Sequence, residues 1–295
     1  MDSYTQFLKS EFGDIETAEN FDYTLQSSIG VGGRAKLAFY PKSAEEMIRL
    51  IDGLDGNGVS YHVLGNLTNV LPPEETQKIV VSTKKLRGVQ RREQGVFAYT
   101  GTRSSEFLRF LESAELSGAE FLAGIPCTIG GAAFMNAGAN GRYLSEVVES
   151  VLFYFEKRIE VIPIADCEYA YKNSLFMRKK GVILGVNFRL KNSDKANIER
   201  ERIFYISKRA HLPKGKSMGC VFKNPAGVAA GKLIDGAGLK GLRVGGACVS
   251  KEHANFIIND QNAKVGDIKT LISATKNAVF AQYKIRLQEE IRYLD

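Results

Sequence analysis

An α+β fold in two blocks is what this sequence predicts, and three observations predict it. Val182, Leu184, Val186, Phe188 and Leu190 alternate with Gly185, Asn187 and Arg189, which is the period of a half-buried strand. Ser43-Ala44-Glu45-Glu46 has the form of a capping box, with Met47, Leu50, Ile51 and Leu54 following at helical spacing. Mixed strands and helices then recur on both sides of one polar stretch, Lys191-Asn192-Ser193-Asp194-Lys195.

Taken in order, the first block spans 1–193 and subdivides near residue 85. It carries a helix over about 43–56, a strand at Tyr61–Leu64 running into Gly65-Asn66, and a second strand at Ile79–Ser82. A helix near 104–115 presents Phe107, Leu108 and Leu111, and strand-like sequence returns at 147–164 and 182–190. The second block, 194–295, opens with a charged helix over about 194–210. A helix at about 229–235 follows, then strands near 243–249 and 255–258. A helix begun by Asp267 carries Ile268, Leu271, Ile272, Thr275 and Val279 on one face. A final strand over 285–293 is expected to turn Ile285, Leu287, Ile291 and Tyr293 one way and Glu290 and Arg292 the other.

A chain of 295 residues, 44% hydrophobic and 25% charged, suits two domains with real cores. No apolar run approaches the roughly 18 residues that cross a bilayer, and the amino terminus lacks a signal-type hydrophobic stretch. A cytoplasmic protein with no membrane partner is expected. Cys127, Cys167, Cys220 and Cys248 lie far apart without CxxC spacing, and His62, His211 and His253 share no helical face. Neither disulfides nor a protein-held metal are expected. A net charge of +7 favours anionic ligands such as pyrophosphates, but the basic residues are dispersed, so no nucleic-acid role is expected.

Three glycine-bearing loops follow or precede predicted elements. Gly236-Ala237-Gly238-Leu239-Lys240-Gly241 spells a dinucleotide fingerprint, yet it follows a helix rather than a strand, and Gly238 sits where a helix terminator belongs. The other two are Gly65-Asn66-Leu67-Thr68-Asn69 and Gly124-Ile125-Pro126-Cys127-Thr128-Ile129-Gly130-Gly131, the latter continued by Asn136-Ala137-Gly138. Small residues there let backbone N–H groups approach an anion, and Thr68 and Thr128 add hydroxyls.

In order and spacing, GNLTNVL (65–71), AGIPCTIGGAAFMNAGANG (123–141), CEYAYKNSLF (167–176), GCVFKNP (219–225), the 230–259 segment ending in HANFIIN, and LQEEIR (287–292) resemble UDP-N-acetylenolpyruvoylglucosamine reductases, in the branch that lacks a tyrosine loop. The resemblance runs from about Ser28 to the end. It implies a two-subdomain FAD-binding module of the vanillyl-alcohol-oxidase-like (PCMH) type, followed by a smaller α+β substrate-binding domain. It also implies NADPH-dependent, FAD-mediated reduction of UDP-N-acetylglucosamine enolpyruvate to UDP-N-acetylmuramate, by a monomer. By the same resemblance, Gly65, Asn66, Thr68, Asn69, Gly124, Ile125, Pro126, Thr128, Gly130, Gly131, Asn136 and Gly138 hold the flavin.

The reaction places a hydride on the terminal enolpyruvyl carbon and a proton on the carbon beside the carboxylate, through an enolate-like dianion. Cys220 occupies the family's proton-donor position, where many members carry serine; read alone, a buried structural thiol is the commoner reading. On an extended segment it shares a face with Phe222 and Asn224, a substrate contact. Glu290 matches the catalytic acid and Arg292 a carboxylate or phosphate ligand, with a solvated strand face as the plainer reading of both. Lys172 stands where the family has an arginine that steadies the dianion, with Tyr171 beside it as substrate contact or core aromatic, and Arg178 available as a substitute cation. Leu67 and Cys127 replace loop glycines, and Pro72-Pro73-Glu74-Glu75 replaces a short segment with Asp and Gly. These departures leave a second reading open: a paralogue binding FAD or a UDP-sugar in a regulatory role.

Overall fold

The computed structural model describes residues 3–93 and 95–294. They form two compact units that interleave along the chain. The first comprises Met1–Glu19, Lys36–Asn66 and Lys78–Ala210; the second comprises Asn20–Ala35, Leu67–Gln77 and His211–Asp295.

In the first unit, Ile79–Ser82 pairs in parallel with Tyr61–Leu64 on one side and with Arg34–Tyr40 on the other. The Ala44–Gly56 helix buries Met47, Leu50, Ile51 and Leu54 in the core beside this sheet. Ser43 caps the helix by accepting the Glu46 N–H at 3.1 Å, while the Glu46 carboxylate accepts from Lys42 N, one residue before the cap, at 2.8 Å. Pairing turns antiparallel after Ser82. A five-stranded sheet runs in the order Arg158–Pro163, Val148–Phe155, Val182–Phe188, Gly95–Tyr99, Val89–Arg92. The first two of these strands form a hairpin closed by Glu156 and Lys157, both with positive φ.

Val182–Phe188 differs from expectation by being buried on both faces. The residues that look solvent-facing are accommodated inside: the Phe97 ring fills the space where a Gly185 Cβ would stand, and Asn187 donates to Ser150 Oγ at 2.9 Å. The expected boundary at 193/194 also moves. The Lys195–Ser207 helix, capped by Asp194, belongs to the first unit, because Tyr205 is buried in that unit's core and Arg202 pairs with Glu112 at 3.6 Å.

The second unit is built on an antiparallel sheet ordered Lys216–Cys220, Phe256–Asn259, Ala247–Val249, Arg243–Val244. Its core joins this sheet to the Ala230–Gly236 and Val265–Tyr283 helices. Gly238, φ +72°, ends the shorter helix as expected: its N–H donates to Asp235 O at 2.9 Å and the Leu239 N–H to Ile234 O at 3.2 Å. Pro72–Glu75 serves structure here. Gly33 N–H donates to Pro73 O at 2.9 Å, and the Glu74 carboxylate accepts from Gly266 N, at the start of the long helix, at 3.3 Å.

The expected strand over 285–293 shrinks to Arg292–Tyr293, paired in parallel with Val70–Leu71. Leu287 and Ile291 are buried but Tyr293 is exposed, so the strict alternation fails. Among the described residues, no helix is long and apolar enough to cross a membrane.

Candidate active site

The expected flavin loops meet in the first unit through Gly65 and Asn66. Asn66 Nδ2 donates to Pro126 O at 2.8 Å, and a Cβ on Gly65 would lie 2.4 Å from Thr128 Oγ1. Much of the second loop's polar backbone is already engaged. Ile125, Cys127, Ile129 and Gly130 N–H groups donate to Leu122, Ile125, Thr102 and Thr100 carbonyls at 2.8–3.0 Å, and Thr128 Oγ1 accepts from Gly131 N at 3.3 Å. Thr128 thus caps the Ile129–Met135 helix instead of pointing outward. Exposed, side-chain-free surface remains at Gly124 and Gly131. A Cβ at Gly131 would meet only Thr128 Oγ1, at 3.2 Å, and the Arg209 guanidinium stands over Gly124, donating to its carbonyl at 3.2 Å. Open glycine surface with a cation beside it fits a flavin nucleotide's phosphates. Arg209 was missed in the sequence because it lies 85 residues from its partner.

Gly130 has a different task, since a Cβ there would lie 1.9 Å from Thr100 Oγ1. Thr100 is buried, so Gly130→Ala is expected to cost about 1–3 kcal/mol in thermal unfolding of the flavin-free protein. Cys127, the other departure in this loop, turns into the core. Burial pushes its thiol up to about 11, so it stays protonated, and its side chain leaves the open loop surface clear.

Asn136 and Gly138 shape the neighbourhood of Lys172. Asn136 closes the Ile129–Met135 helix at φ +43°; its amide donates to Ala170 O and accepts from Ser145 N, both at 3.0 Å. Gly138 permits the tight pairing of Gly138–Ala139 with Arg142–Tyr143, and the Tyr143 and Tyr171 rings meet edge-on at 6.2 Å. Ala170 and Asn173 exchange backbone bonds at 3.1 and 3.2 Å around Tyr171 and Lys172, with Lys172 at φ +51°. A lysine in that region is strained, as residues at working sites often are. Arg178 is not a spare cation: its guanidinium bonds Asn173 Oδ1 at 3.0 Å and pairs with Glu168.

In the second unit, Cys220 ends the Lys216–Cys220 strand and is half-buried. Phe222 is buried in the core, so the expected shared face of Cys220, Phe222 and Asn224 does not form. Asn224 Oδ1 instead accepts from Ala230 N at 3.0 Å and caps the Ala230–Gly236 helix. Residues 221–223 lie against 288–290: Glu290 N–H donates to Val221 O at 2.7 Å and Lys223 N–H to Gln288 O at 2.8 Å. Asn69 steadies this segment, its side chain donating to Glu290 O at 3.2 Å and its carbonyl accepting from Arg292 N at 2.9 Å. Arg292 is exposed and Thr68 half-buried. Leu67 adopts φ +50° with a buried side chain, and its carbonyl accepts from Ser28 N at 3.2 Å.

Two asparagines of HANFIIN, Asn255 and Asn259, are buried and bonded to distant backbone. Asn259 donates to Ile29 O and Gly30 O at 2.9 and 3.1 Å, and Asn255 brackets Phe222. Asn255 N–H in turn donates to His253 Nδ1 at 3.3 Å, and burial, then the His211 and Lys240 charges, hold the His253 imidazole below its usual 6.5. The unfolded chain therefore takes up this proton at higher pH than the folded one. Stability should fall as pH drops below about 6.5, and His253→Asn should flatten that dependence in pH-resolved thermal melts.

Residues 211–294 match the family model for the C-terminal domain of UDP-N-acetylenolpyruvoylglucosamine reductase, and residues 35–157 match an FAD binding domain. The chain is 35% identical to the UDP-N-acetylenolpyruvoylglucosamine reductase of Caldicellulosiruptor bescii, over 99% of this chain and 94% of that one. It is 37% identical to the same-named enzyme of Syntrophobacter fumaroxidans, over 96% and 85%. Among solved structures, the UDP-N-acetylenolpyruvylglucosamine reductase of Thermus caldophilus matches with a TM-score of 0.81 at 31% identity, covering 95% of this chain and 99% of that one.

Proposed function

This chain belongs to the UDP-N-acetylenolpyruvoylglucosamine reductase family, and we propose that its two units divide that reaction between cofactor and proton. It is an FAD- and NADPH-dependent oxidoreductase that reduces the enolpyruvyl ether of UDP-N-acetylglucosamine to the lactyl ether of UDP-N-acetylmuramate, a step of peptidoglycan precursor synthesis. FAD, when bound, supplies the hydride chemistry that side chains lack.

The residues of the first unit hold the cofactor. Gly65, Asn66, Gly124, Ile125, Pro126 and Gly131 form its surface, Arg209 faces its phosphates, and Thr128, Gly130, Asn136 and Gly138 keep that surface in shape. Lys172, presented on its strained turn beside Tyr171, neutralises the carboxylate dianion as charge develops. The residues of the second unit serve the sugar nucleotide. Cys220 donates its thiol proton to the carbon beside the substrate carboxylate and is reprotonated from solvent; a thiol, with a reference pKa of about 8.5, is a competent acid for that step. Glu290 stabilises the enolate-like intermediate, Arg292 pairs with a carboxylate or phosphate, and the side-chain N–H of Asn224 contacts the sugar nucleotide.

The observation that supports this reading best is the 2.7 Å bond from Glu290 N–H to Val221 O, which sets the Glu290 segment beside the one that carries Cys220. We place the protein in the cytoplasm as a monomer acting on small molecules, without a nucleic-acid or membrane partner. The test is NADPH oxidation by the purified, FAD-loaded protein. Oxidation that depends on the enolpyruvyl sugar nucleotide supports the reading, and bound flavin with no such dependence overturns it.

A further inference from the structure

The strand that ends at Cys220 borders Phe256–Asn259, with Lys216 opposite Asn259, Ser217 opposite Ile258 and Cys220 opposite Phe256. A register shift separates the last two pairs, and Gly219 stands between them at φ +75°. Past Cys220 the backbone ladder has one further bond, Val221 N–H to Asn255 O at 2.8 Å. Beyond it the Asn255 side chain takes over. Its Oδ1 accepts the Phe222 N–H at 2.9 Å and its Nδ2 donates to Phe222 O at 2.8 Å. Asn255 is buried, so water cannot stand in for either bond. A planar amide thereby imitates one more residue of strand. It holds Val221 and Phe222 from the side opposite the Gln288–Glu290 segment, which bonds Val221 O and Lys223 N.

We infer that Asn255 is a positioning residue for the proton donor: it fixes the backbone immediately after Cys220 between its own amide and the Glu290 segment. The inference rests on the reading of Cys220 as proton donor, and it assigns Asn255 no contact with substrate. Only a side chain carrying both a donor and an acceptor in one plane can satisfy Phe222, which is why leucine or serine would not replace it.

Asn255→Asp in the FAD-loaded protein keeps the shape and removes the donor. At mildly alkaline pH a carboxylate oxygen would face Phe222 O, and turnover with the sugar nucleotide is expected to fall about 100-fold, mostly in kcat rather than KM. Flavin reduction by NADPH serves as the control and should change little, while the unfolding temperature should fall at alkaline pH and recover as the introduced carboxyl takes up its proton. Lowering the pH protonates the introduced carboxyl, whose pKa burial raises, and restores a donor and an acceptor; the deficit relative to the parent should then narrow. The parent, measured in the same buffers, removes the contribution of neighbouring His253. A readout without turnover is Cys220 alkylation, mapped by peptide mass, which should change rate in the variant while Cys248 alkylation does not. Full turnover at alkaline pH, a deficit independent of pH, or unchanged Cys220 alkylation overturns the inference. Cys220→Ala, run in parallel, separates the two levels. If it keeps turnover the proton-donor reading itself fails; if it loses turnover while Asn255→Asp does not, only the positioning role falls.

Discussion

Cys220→Ala should lower turnover with the sugar nucleotide about 1,000-fold, while flavin reduction by NADPH proceeds at the parental rate. The split follows from the role proposed for Cys220: a proton donor is needed only when the enolpyruvyl carbon is protonated. Cys220→Ser should keep most of the activity, since a hydroxyl can occupy the same half-buried end of the Lys216–Cys220 strand. The two variants should also part under peroxide. Oxidation of an accessible thiol removes the proton donor, so the parent should lose turnover and Cys220→Ser should not. Stopped-flow measurement of each half-reaction checks all three outcomes.

Lys172→Met should cost about 100-fold in the same half-reaction, the scale for removing one electrostatic stabiliser of a developing oxyanion. Lys172→Arg should raise kcat, because a planar guanidinium grips a carboxylate with two bonds where an ammonium makes a point contact. The turn supports that comparison. Lys172 sits at φ +51° between the mutual backbone bonds of Ala170 and Asn173, and both variants keep an unbranched side chain there. Arg178 does not rescue the loss, since Asn173 and Glu168 hold its guanidinium. Arg178→Gln should instead loosen the turn and lower kcat modestly. If Lys172→Met retains full activity, the charge at this turn has no part in catalysis.

Local chemistry was legible in the sequence where one short segment decides the outcome. The Ala44–Gly56 helix follows from its Ser43 cap and apolar spacing, and the Gly238 terminator follows from the helix before it, although the same letters spell a dinucleotide motif. Long-range decisions were not legible. Asn136 and Asn255 look like polar loop residues until their partners, 34 and 33 residues away, are in place. The side of the backbone on which Cys127 and Leu67 lie depends on packing that no neighbouring residue signals. Both side chains turn inward, so neither departure from glycine narrows the loop surface that faces outward. The boundary drawn at the polar stretch 191–195 failed for a related reason. The units interleave through 20–35 and 67–77, and composition along a chain cannot show which distant segments join.

With a thiol at Cys220 and an ammonium at Lys172, this chain is expected to complete the reduction. The most direct test is a single turnover without oxygen: reduce the FAD-loaded protein with NADPH, remove the nicotinamide, and add the enolpyruvyl sugar nucleotide in deuterated water. Flavin reoxidation matched by UDP-N-acetylmuramate carrying one deuterium beside its carboxylate is the predicted result. Flavin that stays reduced in the presence of the sugar nucleotide would contradict it.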